Sequence, residues 1–414
     1  MNKIEIITPV HVGTGAKIEA PCFYRENEND TIAKRYSFTD ILCQMPPSVL
    51  TNSHFLRNLA NKQSDKKQLY QNINRYVDYS NLDEQYCVKD DNEDDICESG
   101  YDVFEQVKDL NKPYIPGSTI KGALMNAWFY YLVKLNLSKK EKLKEYIEAN
   151  VLSSVDRKGN SIADQKTILN YLFNDRYDHS NFIKNLQSCL VCRDLYFDQI
   201  EVLWSERIGS GKDMNGSTIP LSYKECIQSK QIIHDEFMYI DEDKKDRLRL
   251  DLNSYINKKL PDSEKDKIIN RYELILNTFK ESVFYKACTV FTLDVLEFDL
   301  TSKYQSLYRN MQYDTINIET KKLQNEIKQS LQTKEKVAYL RIGNSTNYFA
   351  KTITLLIKKH APELYIKYFD KALSPNSSRK SKTRADKNSV PKTRVVYSSY
   401  EQAYLPGFIK IYYG

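Results

Sequence analysis

The chain has 414 residues, which is enough for two or three domains, each with its own core. Its content of 28% charged and 41% hydrophobic residues is typical of a soluble globular protein, and its net charge is +6. The first residues, MNKIEIITPV, lack the apolar core of a signal peptide, and no apolar run is long enough to span a membrane. We therefore expect a cytoplasmic protein that makes no membrane contact.

The eight cysteines of such a protein are expected to be reduced. Cys189 and Cys192 form the only CxxC motif, and no second pair follows at the spacing of a zinc site. We interpret both as core thiols. The sequence gives no reason to expect a metal or any other cofactor.

The first predicted element is a half-buried strand, because apolar and charged residues alternate from Lys3 to Thr8. A flexible turn over residues 10–15 is predicted to follow Pro9. Gly13 and Gly15 would let backbone N–H groups of this turn point at a ligand. His11 could act as a general acid or base, or donate a hydrogen bond to a phosphate. The alternative is that His11 has a structural role only.

Residues 21–40 are predicted to form a second extended pair that leads into a helix start at Ser37. A helical insertion is predicted over residues 41–110. Within it, residues 89–98 contain six acidic side chains whose spacing does not match an EF-hand loop, which favours a solvated loop.

The stretch from Pro113 to Trp128, PYIPGSTIKGALMNAW, predicts a strand, a Pro-Gly turn and then a helix over residues 119–135. Ser118 is predicted to be the N-cap residue of this helix. Its first turn would combine open N–H groups, the hydroxyl groups of Ser118 and Thr119, and the cation of Lys121. Such a combination is suited to binding an anion such as phosphate. An ordinary core helix with one solvated lysine is the alternative.

The remaining elements are predicted from periodicity. Residues 138–186 are expected to be a second helical insertion, in which Asp175, Asp178 and His179 lie at a polar junction that we do not interpret as a metal site. The other predicted elements are strands at 190–203, 219–233 and 237–239, helix at 241–286, a strand at 291–300, helix at 316–336, a strand from 337 that opens into a polar turn, helix at 352–358, and strands at 394–397 and 406–413.

The positive charge of the chain is concentrated near its end. Residues 376–394 contain seven basic residues and one acidic residue, a net charge of +6, so the rest of the chain is neutral. Such a segment can contact a polyanion, or it can be a solvated linker. Its candidate contact residues are Arg379, Lys380, Lys382 and Arg384.

Several motifs together resemble the RAMP superfamily of CRISPR proteins and, within it, the fifth Csm subunit of type III-A effector complexes. They are TPVHVGTG at 8–15, PYIPGSTIKGAL at 113–124, CRDLYF at 192–197, IPLSYKECI at 219–227, RIGNSTNYFAKTI at 341–353 and LPGFIKI at 405–411.

The resemblance implies an α+β fold with two RRM-like (ferredoxin-like) domains, antiparallel sheets and large helical insertions. We place the domains at residues 1–240 and 241–414. It further implies a non-catalytic subunit that binds CRISPR guide RNA, caps the filament of the repeated backbone subunit at the 3′ end of the guide, and supports its maturation by recruited host nucleases. The residues expected near RNA are His11, Gly13, Gly15, Ser118, Thr119, Lys121, Arg193, Arg341, Asn344 and Lys351, with Arg379, Lys380, Lys382 and Arg384 in the basic segment.

Two other functions remain open at this point. The first is a metal-independent endoribonuclease that processes CRISPR RNA, with His11 as the base and Lys121 or Arg341 stabilising developing charge. The second is a backbone subunit that cleaves target RNA with an aspartate, for which Asp40 and Asp213 are the candidates.

Overall fold

The computed structural model describes residues 2–27, 30–60, 66–92, 96–97, 100–136, 179–209, 218–300, 314–346, 354–360, 362, 393–399 and 402–414. The helices are α1 (Phe38–Cys43), α2 (Pro47–Leu50), α3 (Ser53–Ala60), α4 (Lys67–Asn74), α5 (Gly117–Asn136), α6 (His179–Cys189), α7 (Glu242–Lys259), α8 (Asp262–Thr278), α9 (Glu281–Asp299), α10 (Asp314–Thr333) and α11 (Thr354–His360). The strands are β1 (Asn2–Ile6), β2 (Gly13–Ile18), β3 (Phe23–Tyr24), β4 (Ile32–Arg35), β5 (Tyr86–Lys89), β6 (Val103–Gln106), β7 (Lys108–Asp109), β8 (Lys112–Ile115), β9 (Leu190–Cys192), β10 (Leu195–Tyr196), β11 (Ile200–Gly209), β12 (Thr218–Ile227), β13 (Ile232–Asp235), β14 (Met238–Ile240), β15 (Val337–Arg341), β16 (Thr393–Ser398), β17 (Ala403–Tyr404) and β18 (Phe408–Tyr412).

A four-stranded antiparallel sheet, here called sheet A, has the order β13-β1-β18-β15. Ile4 and Ile6 of β1 are fully buried, as the alternation in the sequence predicts. They belong to the main core, to which α5 contributes Ile120, Leu124 and Trp128. Helix α5 therefore packs into the same core as sheet A and is buried on several sides.

A larger sheet, here called sheet B, contains nine strands in the order β2-β6-β12-β11-β5-β4-β3, with β16 and β17 attached beside β11. Its centre is the long antiparallel pair β11 and β12. One face of sheet B, which includes Val103 and Tyr223, packs on a separate core built with α1 to α4. The predicted α+β class with antiparallel sheets is confirmed, and two of the pairings in sheet B, β11 with β5 and β12 with β6, are parallel.

Some element predictions were wrong. Residues 291–299 belong to helix α9 and Leu300 is its C-cap, so the strand predicted at 291–300 does not form. Phe291, Thr292, Val295 and Leu296 are all buried in this helix, so its sequence lacks the single apolar stripe that usually distinguishes a helix from a strand.

The last three residues of the turn predicted at 10–15 are the start of strand β2, and the single strand predicted at 190–203 is divided into β9, β10 and β11. Residues 41–110 are α-helical only as far as Asn74, after which the described part continues through a short 3-10 helix (Tyr79–Asn81) into strands β5, β6 and β7. Most of the predicted 138–186 insertion lies outside the described residues.

The strand pairing joins the two ends of the chain. In sheet A, Lys3 pairs with Tyr412, and in sheet B, Ser205 pairs with Tyr397. The proposed division at residue 240 stays a prediction, and the pairing crosses it in both sheets. Within the described ranges, no helix is long and apolar enough to cross a bilayer.

Candidate nucleic-acid interface

The segment from Pro9 to Val12, which joins β1 to β2, lies where sheets A and B meet. Val10 exchanges two backbone hydrogen bonds with Ile227 at the end of β12, with N–O distances of 3.1 and 2.8 Å. On its other side, the carbonyl oxygen of His11 accepts a hydrogen bond of 2.7 Å from the N–H of Asn344. The segment is therefore hydrogen-bonded on both sides, to sheet B through Val10 and to the turn after β15 through His11.

Two glycines allow this close packing. Gly343 and Gly407 have φ angles of +91° and +94°, in the left-handed region that favours glycine. A Cβ atom at Gly343 would lie 2.7 Å from the carbonyl oxygen of His11. A Cβ atom at Gly407 would lie 2.1 Å from the carbonyl oxygen of Ile342. The backbone of this junction can approach so closely only because both positions lack a side chain.

The side chain of His11 lies beneath this junction and is only 1% exposed. Its Nδ1 atom is 2.7 Å from the carbonyl oxygen of Glu225, which can only accept a hydrogen bond, so Nδ1 carries the proton. The other ring nitrogen, Nε2, faces Gly13, and a Cβ atom added to Gly13 would lie 2.7 Å from it. Burial, with a smaller effect from the Lys224 cation, lowers the pKa of His11 to about 4. His11 is thus a neutral, packed side chain at pH 7.

A buried carboxylate organises the neighbouring strands. The side chain of Glu225 accepts hydrogen bonds from Tyr86 Oη at 2.7 Å, from the backbone N–H of Gln106 at 3.0 Å and from Lys108 Nζ. The side chain of Gln106 continues this network. It accepts a hydrogen bond of 2.7 Å from the N–H of Val12 and donates one of 3.0 Å to the carbonyl oxygen of Tyr114. Gln106 thereby connects the Pro9–Val12 segment to the strand that leads into α5.

Helix α5 begins at Gly117, so Ser118 lies within its first turn. The prediction that Ser118 is the N-cap residue was wrong. The N–H of Gly117 donates a hydrogen bond of 2.7 Å to the carboxylate of Asp194, which follows β9. A Cβ atom on Gly117 would lie 2.3 Å from the carbonyl oxygen of Cys192. The helix start is therefore pressed against the end of β9 and capped from it, which the linear sequence did not indicate.

Arg341 is buried, contrary to its predicted place on the RNA surface. Its guanidinium group is 2% exposed and donates to Asp299 at 3.0 Å and to the carbonyl oxygen of Pro406 at 3.1 Å. Asp299 also accepts a hydrogen bond of 2.6 Å from Arg394, which is buried as well. These three side chains form an internal charge cluster between α9, β15 and β16, so Arg341 has a structural role.

The other predicted site residues fall into three groups. Exposed residues are Gly13, Gly15, Ser118, Arg193 and Asn344, and partly exposed residues are Thr119 and Lys121. The residues that lie outside the described part of the chain are Lys351, Arg379, Lys380, Lys382 and Arg384. Hydrogen bonds connect the segments that carry these exposed residues, from the turn after β15, through Pro9–Val12, to the strand before α5, and this series of segments is called the path below. Sequence reasoning missed Gln106 and Asp194, because their roles depend on hydrogen bonds to residues that are distant in the sequence.

The cysteines and acids considered for metal binding give no metal site among the described residues, where no group of three potential ligands comes together. Cys189 is buried, and burial raises the pKa of Cys192 to about 12. Asp175 and Asp178 lie outside the described residues, as does the side chain of His179.

Comparison with known proteins gives a family and a fold. The family model for the RAMP superfamily matches residues 3–349. No curated protein sequence matches the chain. Among solved structures, one similar chain comes from a cryo-EM structure of a Csm–crRNA–target RNA ternary complex of a type III-A CRISPR-Cas system. It has a TM-score of 0.59 at 18% identity, and the match covers 99% of this chain and 100% of the other.

A second similar structure is T. onnurineus Csm5, with a TM-score of 0.53 at 17% identity. The match covers 98% of this chain and 99% of that one. At these identities the two structures show a shared fold that extends over nearly the whole chain.

Proposed function

This chain belongs to the RAMP superfamily, and from that membership we propose that it is a non-catalytic, guide-RNA-binding subunit of a type III-A Csm interference complex. The observation that carries the proposal is the fold shared over 99% of this chain with one chain of a Csm–crRNA–target RNA complex. The similar fold of T. onnurineus Csm5, which extends over 98% of this chain, supports the fifth subunit in particular.

The geometry is suited to holding an RNA strand without reading its sequence. Small or polar exposed residues at Gly13, Gly15 and Ser118 let a sugar–phosphate backbone approach closely. Lys121 and Arg193 are accessible cations on the same path, and they would neutralise phosphates. Guides differ in sequence, so contacts to the backbone are the kind of contact that such a subunit requires.

We further assign this subunit to the end of the complex. It caps the filament of the repeated backbone subunit at the 3′ end of the guide RNA, in the cytoplasm, and supports 3′ maturation by recruited host nucleases. The support for this assignment is the resemblance of the motifs at 8–15, 113–124 and 341–353 to the fifth Csm subunit. In this role the partners are the guide RNA and the other Csm subunits.

An endoribonuclease with His11 as its base is the main alternative, and its geometry is less favourable. A general base must reach the proton that it removes, and it works best with a pKa near the working pH. His11 is 1% exposed and its pKa is lowered to about 4. Incubating the purified chain with labelled repeat RNA decides this point, since cleavage that His11→Ala abolishes would favour the nuclease.

The proposed function is tested by isolating the tagged full-length chain from cells that contain a type III-A locus. We expect sibling Csm proteins and short guide RNAs of uniform length to be recovered with it. Native mass spectrometry of the particle should find one copy of this chain, because a cap is present once and a backbone subunit several times. Recovery of the chain without RNA and without Csm proteins would refute the proposal.

A further inference from the structure

One row of side chains on sheet B has the composition of a base-stacking surface. Strand register places Lys17 of β2 opposite Phe104 of β6, and Phe104 opposite Lys224 of β12. An aromatic ring therefore lies between two lysines on three adjacent strands. The ammonium groups of Lys17 and Lys224 lie 5.0 and 5.5 Å from the centre of the Phe104 ring.

This row lies on the face of sheet B that points away from the helices α1 to α4. Val103 and Tyr223, the chain neighbours of Phe104 and Lys224, are buried in the core that contains those helices. Since side chains alternate along a strand, Phe104 and Lys224 point to the opposite face. Phe104 is only half-buried there. The ring thus does not belong to the core that stabilises the helical part.

The two lysines differ in exposure. The side chain of Lys17 is 49% exposed, and its nearest carboxylate is that of Asp102 at 3.9 Å. Lys224 is only 7% exposed, and its ammonium group also lies 5.7 Å from the ring of Tyr397 and 3.4 Å from the hydroxyl of Ser345. Lys224 thus holds the inner side of the ring in place, while Lys17 can turn from the ring towards solvent.

The row also adjoins the path of exposed residues described above. Ser345 follows Asn344, whose N–H binds the carbonyl oxygen of His11. Lys17 lies in the same strand as Gly13 and Gly15. An RNA strand that follows the start of β2 would therefore pass Phe104 with its backbone beside Lys17.

We infer that Phe104 is a stacking site for one base of the bound RNA strand, with Lys17 as the contact to the adjacent phosphate and Lys224 as a positioning residue for the ring. This inference rests on the proposed function. Stacking on an aromatic ring accepts any base, because every base has a π face, and it suits a protein that binds guides of different sequence.

The test measures the affinity of the full-length chain for fluorescein-labelled single-stranded oligoadenylate and for an abasic strand of equal length. Phe104→Ile keeps a residue that favours strands and removes the ring, and Phe104→Tyr keeps the ring. We expect Phe104→Ile to weaken binding of oligoadenylate by roughly 5- to 100-fold and to leave the abasic strand unaffected. Phe104→Tyr should bind both strands like the parent.

Salt dependence separates the ring from the cation. Lys17→Gln should reduce the slope of log affinity against log salt by about 0.7, as for one lost phosphate contact on a single strand, and Phe104→Ile should leave the slope unchanged. Tyr76→Leu is the matched control, because Tyr76 is 44% exposed and follows α4, whose side chains pack in the core on the other face of sheet B. It should change neither quantity.

The outcomes distinguish this inference from the proposed function. If the parent chain binds no RNA, both are refuted. If the parent binds RNA and Phe104→Ile binds oligoadenylate equally well, only the stacking site is refuted, and the row is cross-strand packing. Should Phe104→Ile fail to fold, photocrosslinking of 4-thiouridine RNA to the parent chain tests the stacking site instead. A crosslinked peptide that contains Phe104 supports the site, and crosslinks only to other peptides refute it.

Discussion

The carboxylate of Asp194 accepts a hydrogen bond of 2.7 Å from the N–H of Gly117 at the first turn of α5. An acidic side chain thus takes a backbone donor at the helix end that the sequence had suggested for a phosphate. It also places a negative charge beside Arg193 and close to Ser118, at the edge of the proposed RNA path.

Removing this charge while keeping the cap should strengthen RNA binding. In Asp194→Asn, an amide oxygen still accepts the hydrogen bond, so we expect the free energy of unfolding to change by less than about 1 kcal/mol. The affinity for single-stranded RNA should rise, most clearly at low salt, because repulsion of phosphates is lost. Fluorescence anisotropy measures the effect. Asp198→Asn, at a more distant exposed carboxylate, is the control, and equal affinities of parent and Asp194→Asn would contradict the prediction.

Two glycines of α5 should respond in opposite directions to alanine. Gly117→Ala places a Cβ atom 2.3 Å from a backbone oxygen, and we expect it to lower the free energy of unfolding by about 2–3 kcal/mol. Gly122 is exposed within the same helix and no atom lies within 4 Å of its Cβ position, so Gly122→Ala should raise stability by about 0.5–1 kcal/mol. Urea denaturation measures both, and equal changes would show that α5 does not press on β9.

Lys121 should contribute charge and little else to RNA binding. Lys121→Gln is expected to reduce the slope of log affinity against log salt by about 0.7, with the largest loss of affinity at low salt. Lys321→Gln, on the exposed face of α10, is the matched control. A salt series of anisotropy titrations decides the matter, and identical slopes for Lys121→Gln and the parent would remove Lys121 from the RNA surface.

Arg341 and Arg193 should separate stability from binding. Arg341→Ala leaves the buried carboxylate of Asp299 with one partner fewer, and we expect a loss of about 3–5 kcal/mol in unfolding free energy. Arg193→Ala, at an exposed position, should cost little stability and weaken RNA binding instead. Chemical denaturation and anisotropy are measured on both variants. A stable Arg341→Ala protein with weakened RNA binding would restore Arg341 as an RNA contact.

His11 should make the fold sensitive to acid. In the folded chain its pKa is about 4, while in the unfolded chain it has its ordinary value of 6.5. As the pH falls, the unfolded state therefore takes up the proton first, which favours unfolding. The stability that the fold gains from holding His11 neutral is fully present above pH 6.5 and is lost as the pH falls towards 4. At pH 5 the loss is about 2 kcal/mol.

The variant His11→Gln removes this titration. Between pH 7.5 and pH 5 the unfolding free energy of the parent should fall by about 2 kcal/mol more than that of His11→Gln. Lys224 and Lys108 are the cations that face His11 and oppose its protonation. His234→Gln, at an exposed histidine, is the control and should follow the parent curve. Parallel curves for His11→Gln and the parent would show that His11 is not neutral in the fold.

The sequence predicts well where a regular alternation or a turn signal marks an element. Ile4 and Ile6 alternate with polar neighbours and form β1, and the Pro116-Gly117 turn marks the start of α5. Residues 291–299 of helix α9 have no such signal, and because this helix is buried on several sides, neither period dominates its sequence.

The candidate site was harder to predict than the fold, because residue type indicates chemistry and not exposure. His11 and Arg341 carry groups that bind phosphate well, but both are buried by contacts with residues distant in sequence, Glu225 and Asp299 respectively. Gly13 and Ser118 are exposed, as a ligand contact requires. Whether they touch RNA stays a prediction.

The pairing of Lys3 with Tyr412 has a consequence for biosynthesis. Strand β1 leaves the ribosome long before its neighbour β18 has been made, so the pairing of these two strands at the centre of sheet A cannot form until residue 412 has been synthesised. At about 5–20 residues per second, the roughly 400 intervening residues take on the order of 20–80 s. During this time Ile4 and Ile6 remain without their native cover. A nascent chain should therefore depend on chaperones, and ribosome-bound chains that stop before residue 408 should be digested by protease near their N-terminus.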